Sequence, residues 1–116
     1  MEIQMRDQDN VAILSLNGRL DLASGATLKE HLKKLTDKDT TQVHLNLAEV
    51  EFINSSGLGA LVSIMKETRL HKGRLTLSNL ASYVQEIFEI TQLSHIFEIY
   101  PTEEEALASY QPATTS

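Results

Sequence analysis

The chain has 116 residues, 41% of them hydrophobic, no cysteine, and a formal charge of −6 from sixteen acidic and ten basic side chains. That size and apolar content suffice for one hydrophobic core, so a single domain over residues 1–110 is expected, while the acidic balance argues against a nucleic-acid partner. The lack of cysteine excludes a disulfide framework, a thiol nucleophile and a thiolate metal site, and no apolar run approaches the roughly 20 residues of a membrane span.

In chain order, Ile3 and Met5 alternate with polar neighbours, Gln8-Asp9-Asn10 predicts a turn, and residues 11–16 resume as a second strand, so the chain should open with a hairpin. The acid at Glu2 is unlike the basic start of a signal peptide, and a cytoplasmic location is expected. Asn17-Gly18 breaks the strand pattern. Leu28, Leu32 and Leu35 then recur at helical spacing and predict a first helix within about residues 22–37. The acidic and basic run Asp37-Lys38-Asp39-Thr40 is a solvated connection to a strand at 43–47, from which Ala48-Glu49-Val50-Glu51 leads to a serine-containing turn.

After that turn Leu58, Leu61, Val62 and Met65 mark one face of a second helix, ending near His71-Lys72-Gly73. Residues 74–78 predict a strand, and Leu80, Val84, Ile87 and Phe88 a third helix face. Residues 96–100 predict a short final strand. Thr102-Glu103-Glu104-Glu105 is a capping box for a short last helix carrying Ala106 and Leu107, and its acids suit a helix N-terminus without any metal. Residues 111–116 carry no packing signal and are expected to be a frayed tail.

The turn Asn54-Ser55-Ser56-Gly57-Leu58-Gly59 places two hydroxyls where a buried strand meets an amphipathic helix. It reads structurally as a cap, with Asn54 or Ser55 closing the helix and the glycines allowing close packing. It reads functionally as a place where a phosphate can be added without breaking the fold. A catalytic serine needs a base, and His31, His44, His71 and His95 form no local motif with either serine. Most of these histidines are expected on the surface or at the ends of core faces. There is no Gly-Lys-Ser/Thr ending for a phosphate loop. Asp21 and Ser24 are candidate caps of the first helix, and Leu58 and Met65 belong to the periodic core face.

These residues resemble a known family. Asn54-Ser55-Ser56-Gly57-Leu58-Gly59 is similar to the Asp-Ser-Ser/Thr-Gly-Leu-Gly signature of the anti-sigma factor antagonists, the STAS domains. Leu16-Asn17-Gly18-Arg19-Leu20-Asp21 is similar to that family's Gly-Glu-Leu/Ile-Asp segment. Residues 43–47, 73–77 and 84–93 resemble its strand before the serine turn, its next strand and its late helix, so the likeness covers about residues 2–108. It implies an α/β fold with a small mixed sheet of four or five strands and helices largely on one face.

It also implies a binding switch without enzymatic activity or cofactor of its own. Ser55 would be phosphorylated by a partner that is both anti-sigma factor and serine kinase, and a serine phosphatase would reset it, so ATP and magnesium belong to the partners. Asp21, Ser24, Asn54, Ser56, Gly57 and Leu58 would lie at the docking surface. Asn54 departs from the family's usual Asp: it keeps the capping acceptor but removes a charge. That departure leaves open a scaffold subunit of a transport or sensory complex that is never phosphorylated. A small-anion site or enzyme at the same helix N-terminus is a third reading.

Overall fold

The computed structural model describes residues 1–110. Its elements are β1 (Glu2–Gln8), β2 (Val11–Leu20), α1 (Leu22–Asp37), β3 (Gln42–Ile53), α2 (Ser55–Leu70), β4 (Arg74–Ser78), α3 (Ser82–Ile90), β5 (Glu98–Tyr100) and α4 (Glu103–Ala108). The five strands form one sheet in the order β1-β2-β3-β4-β5, antiparallel between β1 and β2 and parallel thereafter. Asp9 and Asn10 both take positive φ, the backbone that a two-residue hairpin turn between Gln8 and Val11 requires.

The three crossovers advance across the sheet in one direction. Since such connections are right-handed, α1, α2 and α3 must fall on the same face. The register matches this. Ala12, Val43 and Leu75 lie side by side, as do Leu14, Leu45 and Leu77, and these rows join Leu28, Leu32, Leu61, Ile64, Val84 and Phe88 in one core. The α/β fold, mixed sheet and one-sided helices are therefore as the sequence predicts. α4 alone lies on the other face, where Glu103 accepts a hydrogen bond from Asn46 and pairs with Arg6 of β1. The tail expected over residues 111–116 lies outside the described residues.

Four element boundaries differ from the sequence reading. β2 does not stop at Asn17-Gly18 but continues to Leu20, and β3 continues past Leu47 to Ile53. The β2–β3 register shifts twice, between Ser15 and Asn17 and between Gly18 and Arg19. Gly18, at φ 122°, supplies a conformation that side chains rarely adopt. A bulge interrupts the two-residue alternation without ending the ladder, so the sequence pattern stops where the strand does not. The third helix begins at Ser82, leaving Leu80 half-buried before it, and a single 3-10 turn at Leu93–His95 delays β5 to Glu98. No helix among the described residues is long and apolar enough to cross a membrane.

Candidate functional site

The strand extensions create the site. Leu20 pairs with Ile53 at the ends of β2 and β3, and the Asn54 amide donates to the Leu20 carbonyl at 3.3 Å. Two helices therefore start side by side, one capped by Asp21 and the other by Asn54.

At the first start, the Ser24 amide donates to Asp21 Oδ1 (3.1 Å) and the Asp21 amide donates to Ser24 Oγ (2.8 Å), a reciprocal capping box. The Ser24 hydroxyl also donates to the Arg19 carbonyl at 2.7 Å. Ser24 is thus buried and occupied with holding the turn. The Ser24 amide and hydroxyl, with some help from the Arg19 charge, hold the Asp21 carboxyl below its usual range. Asp21 is a half-buried carboxylate at neutral pH.

At the second start, Asn54 Oδ1 accepts from the Gly57 amide at 2.9 Å, so the amide side chain performs the cap that an aspartate would. Ser55 and Ser56 occupy the first two helical positions and are exposed, and neither hydroxyl is hydrogen-bonded among the described residues. The first intrahelical bond runs from the Leu58 amide to the Asn54 carbonyl. Backbone N–H groups in this first turn therefore lack intrahelical acceptors and, with the helix dipole, make the Ser55 position hospitable to an anion.

Gly57 is buried at the junction. A Cβ there would lie 2.1 Å from the Leu20 carbonyl oxygen, so only glycine lets α2 start against the end of β2. Gly25 does the same between the helices, where a Cβ would lie 2.7 Å from the Ala60 Cβ. Gly59 corrects the expectation that both signature glycines serve close packing, because a Cβ there meets nothing within 4 Å. Leu58 is half-buried against the core, and Leu61 and Met65 are fully within it.

The structure thus brings Asp21, Ser24, Asn54, Ser55, Ser56, Gly57 and Leu58 to one end of the sheet. It adds residues that the sequence pattern did not single out. Leu22, the first residue of α1 after the Asp21 cap, is 74% exposed, and the Arg19 guanidinium sits 4.0 Å over the Phe52 ring. The signal for Leu22 was its place off the Leu28, Leu32 and Leu35 stripe.

His44 was also missed. It is fully buried on the α4 side of the sheet, its Nδ1 and Nε2 each 2.7 Å from the hydroxyls of Thr76 and Ser78. Burial pushes its pKa down to about 4, which keeps it neutral, and the nearby Glu103 only partly offsets this. Thr76 in turn meets the Tyr110 hydroxyl at 3.0 Å, which donates to the Val43 carbonyl. This network pins the chain after α4 and offers no base to the serines. Among the described residues no group of three or more His, Asp or Glu side chains is arranged to hold a metal ion.

The model of the STAS domain matches residues 2–106. The chain is 34% identical to the anti-sigma-B factor antagonist of Listeria monocytogenes over 90% of this chain and 91% of that one. It superposes on TM1081 of Thermotoga maritima with a TM-score of 0.86 and 28% identity, covering 92% of each chain. It superposes on the Bacillus anti-sigma factor antagonist SpoIIAA, solved unphosphorylated and phosphorylated, with a TM-score of 0.73 to each form. That likeness, at 22% identity, covers 93% of this chain and 96% of the unphosphorylated one, and 95% and 100% for the phosphorylated one.

Proposed function

The chain belongs to the STAS domain family, and from that premise we propose that it is an anti-sigma factor antagonist whose docking is controlled by a phosphate on Ser55. The observation that carries this reading is an exposed, unbonded hydroxyl at the first position of α2, beside a second capped helix start. Unphosphorylated, the protein binds an anti-sigma factor that is also a serine kinase and so frees the sigma factor. The kinase transfers phosphate to Ser55, and a serine phosphatase removes it. The protein itself performs no chemistry and needs no cofactor, and its partners supply ATP and magnesium. Residues 1–110 act as one unit in the cytoplasm, where those partners work.

Asp21, Asn54, Ser56 and Leu58 form the docking surface, and Ser24 and Gly57 hold its shape from beneath. Asp21, ionised by its capping bonds, suits a partner arginine or lysine. Phosphate adds about two negative charges and bulk where that surface must close, while the helix N-terminus tolerates the charge within the fold. Both the unphosphorylated and the phosphorylated form of SpoIIAA share this fold, which is consistent with a switch that works without refolding.

The test is transfer from the cognate anti-sigma factor and kinase with labelled ATP. Wild type is labelled and Ser55→Ala is not; labelling that persists in Ser55→Ala contradicts the assignment. Asn54, in place of an aspartate, favours a second reading, a scaffold subunit that is never phosphorylated. Stable isolation with a transporter or sensor, undisturbed by Ser55→Ala, would support it.

A further inference from the structure

The charges of this acidic chain are segregated. Residues 29–38 and 66–74 hold eight of the ten Lys and Arg side chains and only three of the sixteen acids. These stretches are the C-terminal parts of α1 and α2 with the turns that follow and the first residue of β4, so the cations gather at the end away from Ser55. The helix dipole favours cations in a last turn, which accounts for Lys34 and Arg69. It does not account for Lys29 and Lys33, which lie further up α1. Of the eight cations, only Arg74 is in an ion pair among the described residues, with Glu98.

The helices shape this end. They touch closely at Gly25 and Ala60, and nearer their C-termini they leave a groove of about 470 Å3. Leu32 and Ile64 form its floor, Lys29 and Lys33 one wall, and Ser63 and His71 part of the other. Long lysine side chains tend to lay their aliphatic stems along an apolar surface and keep their ammonium groups in water, which suits Lys29 and Lys33 to the rim of such a groove. Asp37 and Glu67 also line it, which disfavours a uniformly acidic occupant.

We propose that the groove between the C-terminal halves of α1 and α2 is a second docking surface, which takes an acidic amphipathic helix of a partner protein. The apolar floor receives the helix's apolar side chains, and unpaired ammonium groups meet its carboxylates. Charge complementarity selects this occupant: the rest of the chain holds thirteen acids against two cations, whereas this end gathers eight cations, seven of them in no ion pair among the described residues. The surface goes beyond the switch and does not depend on Ser55 being a phosphoacceptor. Its position lets both ends be occupied together.

The test is an amide-shift titration of the isotope-labelled full chain at low salt. The probe is a synthetic helix with Leu at i, i+3, i+4 and i+7 and Glu on its flanks. Shifts confined to residues 29–37 and 63–71, suppressed by salt, are expected. The paired change Lys29→Glu and Lys33→Glu should weaken binding by about tenfold or more, with folding checked by thermal unfolding. Absent shifts in the groove, or equal binding of a Lys-flanked peptide, would overturn the proposal. So would a groove that responds only to phosphatidylglycerol vesicles, which would assign it to a lipid surface, or only to rising concentration of the chain itself, which would assign it to a second copy.

Discussion

Asp21 and Asn54 do the same work on neighbouring helices, and what distinguishes the residues after them is what their hydroxyls do. Ser24 is spent on its own capping box, whereas Ser55 is free. Ser55→Asp should therefore leave the unfolding free energy within about 0.5 kcal/mol of wild type while partner affinity falls by about tenfold or more. A large loss of stability in urea titration would show that the hydroxyl is structural. His44 gives a separate residue-scale prediction. Its pKa falls from 6.5 to about 4 on folding, so between those pH values the unfolded chain binds more protons. The stability that neutral His44 contributes is whole above pH 6.5 and is lost as pH falls through 4, by roughly 3 kcal/mol. His44→Gln should flatten this dependence in urea midpoints measured across that range, and an unchanged slope would contradict the assignment. The serine turn was legible because its residues are contiguous. The surroundings of His44 were not, since Thr76, Ser78 and Tyr110 lie far along the chain.

At the scale of elements, the two signature glycines have opposite duties. Gly57→Ala drives a Cβ into the Leu20 carbonyl and should destabilise by roughly 2–3 kcal/mol or more. Gly59→Ala meets open space in a helix and should stabilise by up to about 1 kcal/mol. Chemical unfolding of the pair checks both signs, and equal effects would contradict this account of the junction. Helix stripes and the Thr102 cap were readable because helix periodicity and capping are local. The ends of β2 and β3 were not, because register shifts break alternation without breaking the ladder. Those unread ends are the ones that deliver Asp21 and Asn54 to the same place.

Across the whole molecule, alternation of strand and helix was enough to predict the fold class, and one-way crossovers explain why the helices share a face. The net charge of −6 concealed a basic end, since a sum over the chain holds no positions. The result is a domain with two capped helix starts side by side at one end, the docking surface proposed above, and a separate groove flanked by Lys29 and Lys33 near the helix C-termini. A phosphate at the first end should leave the second unchanged, as shifts of residues 29–37 and 63–71 measured before and after phosphorylation would check. The central claim is that Ser55 carries the switch. The most direct measurement is the intact mass of the protein isolated from its native cells under several growth conditions, with phosphatases blocked and any phosphate mapped by peptide fragmentation. Partial phosphate on Ser55 that varies with conditions is the predicted result; phosphate absent throughout, or found on another residue, would contradict it.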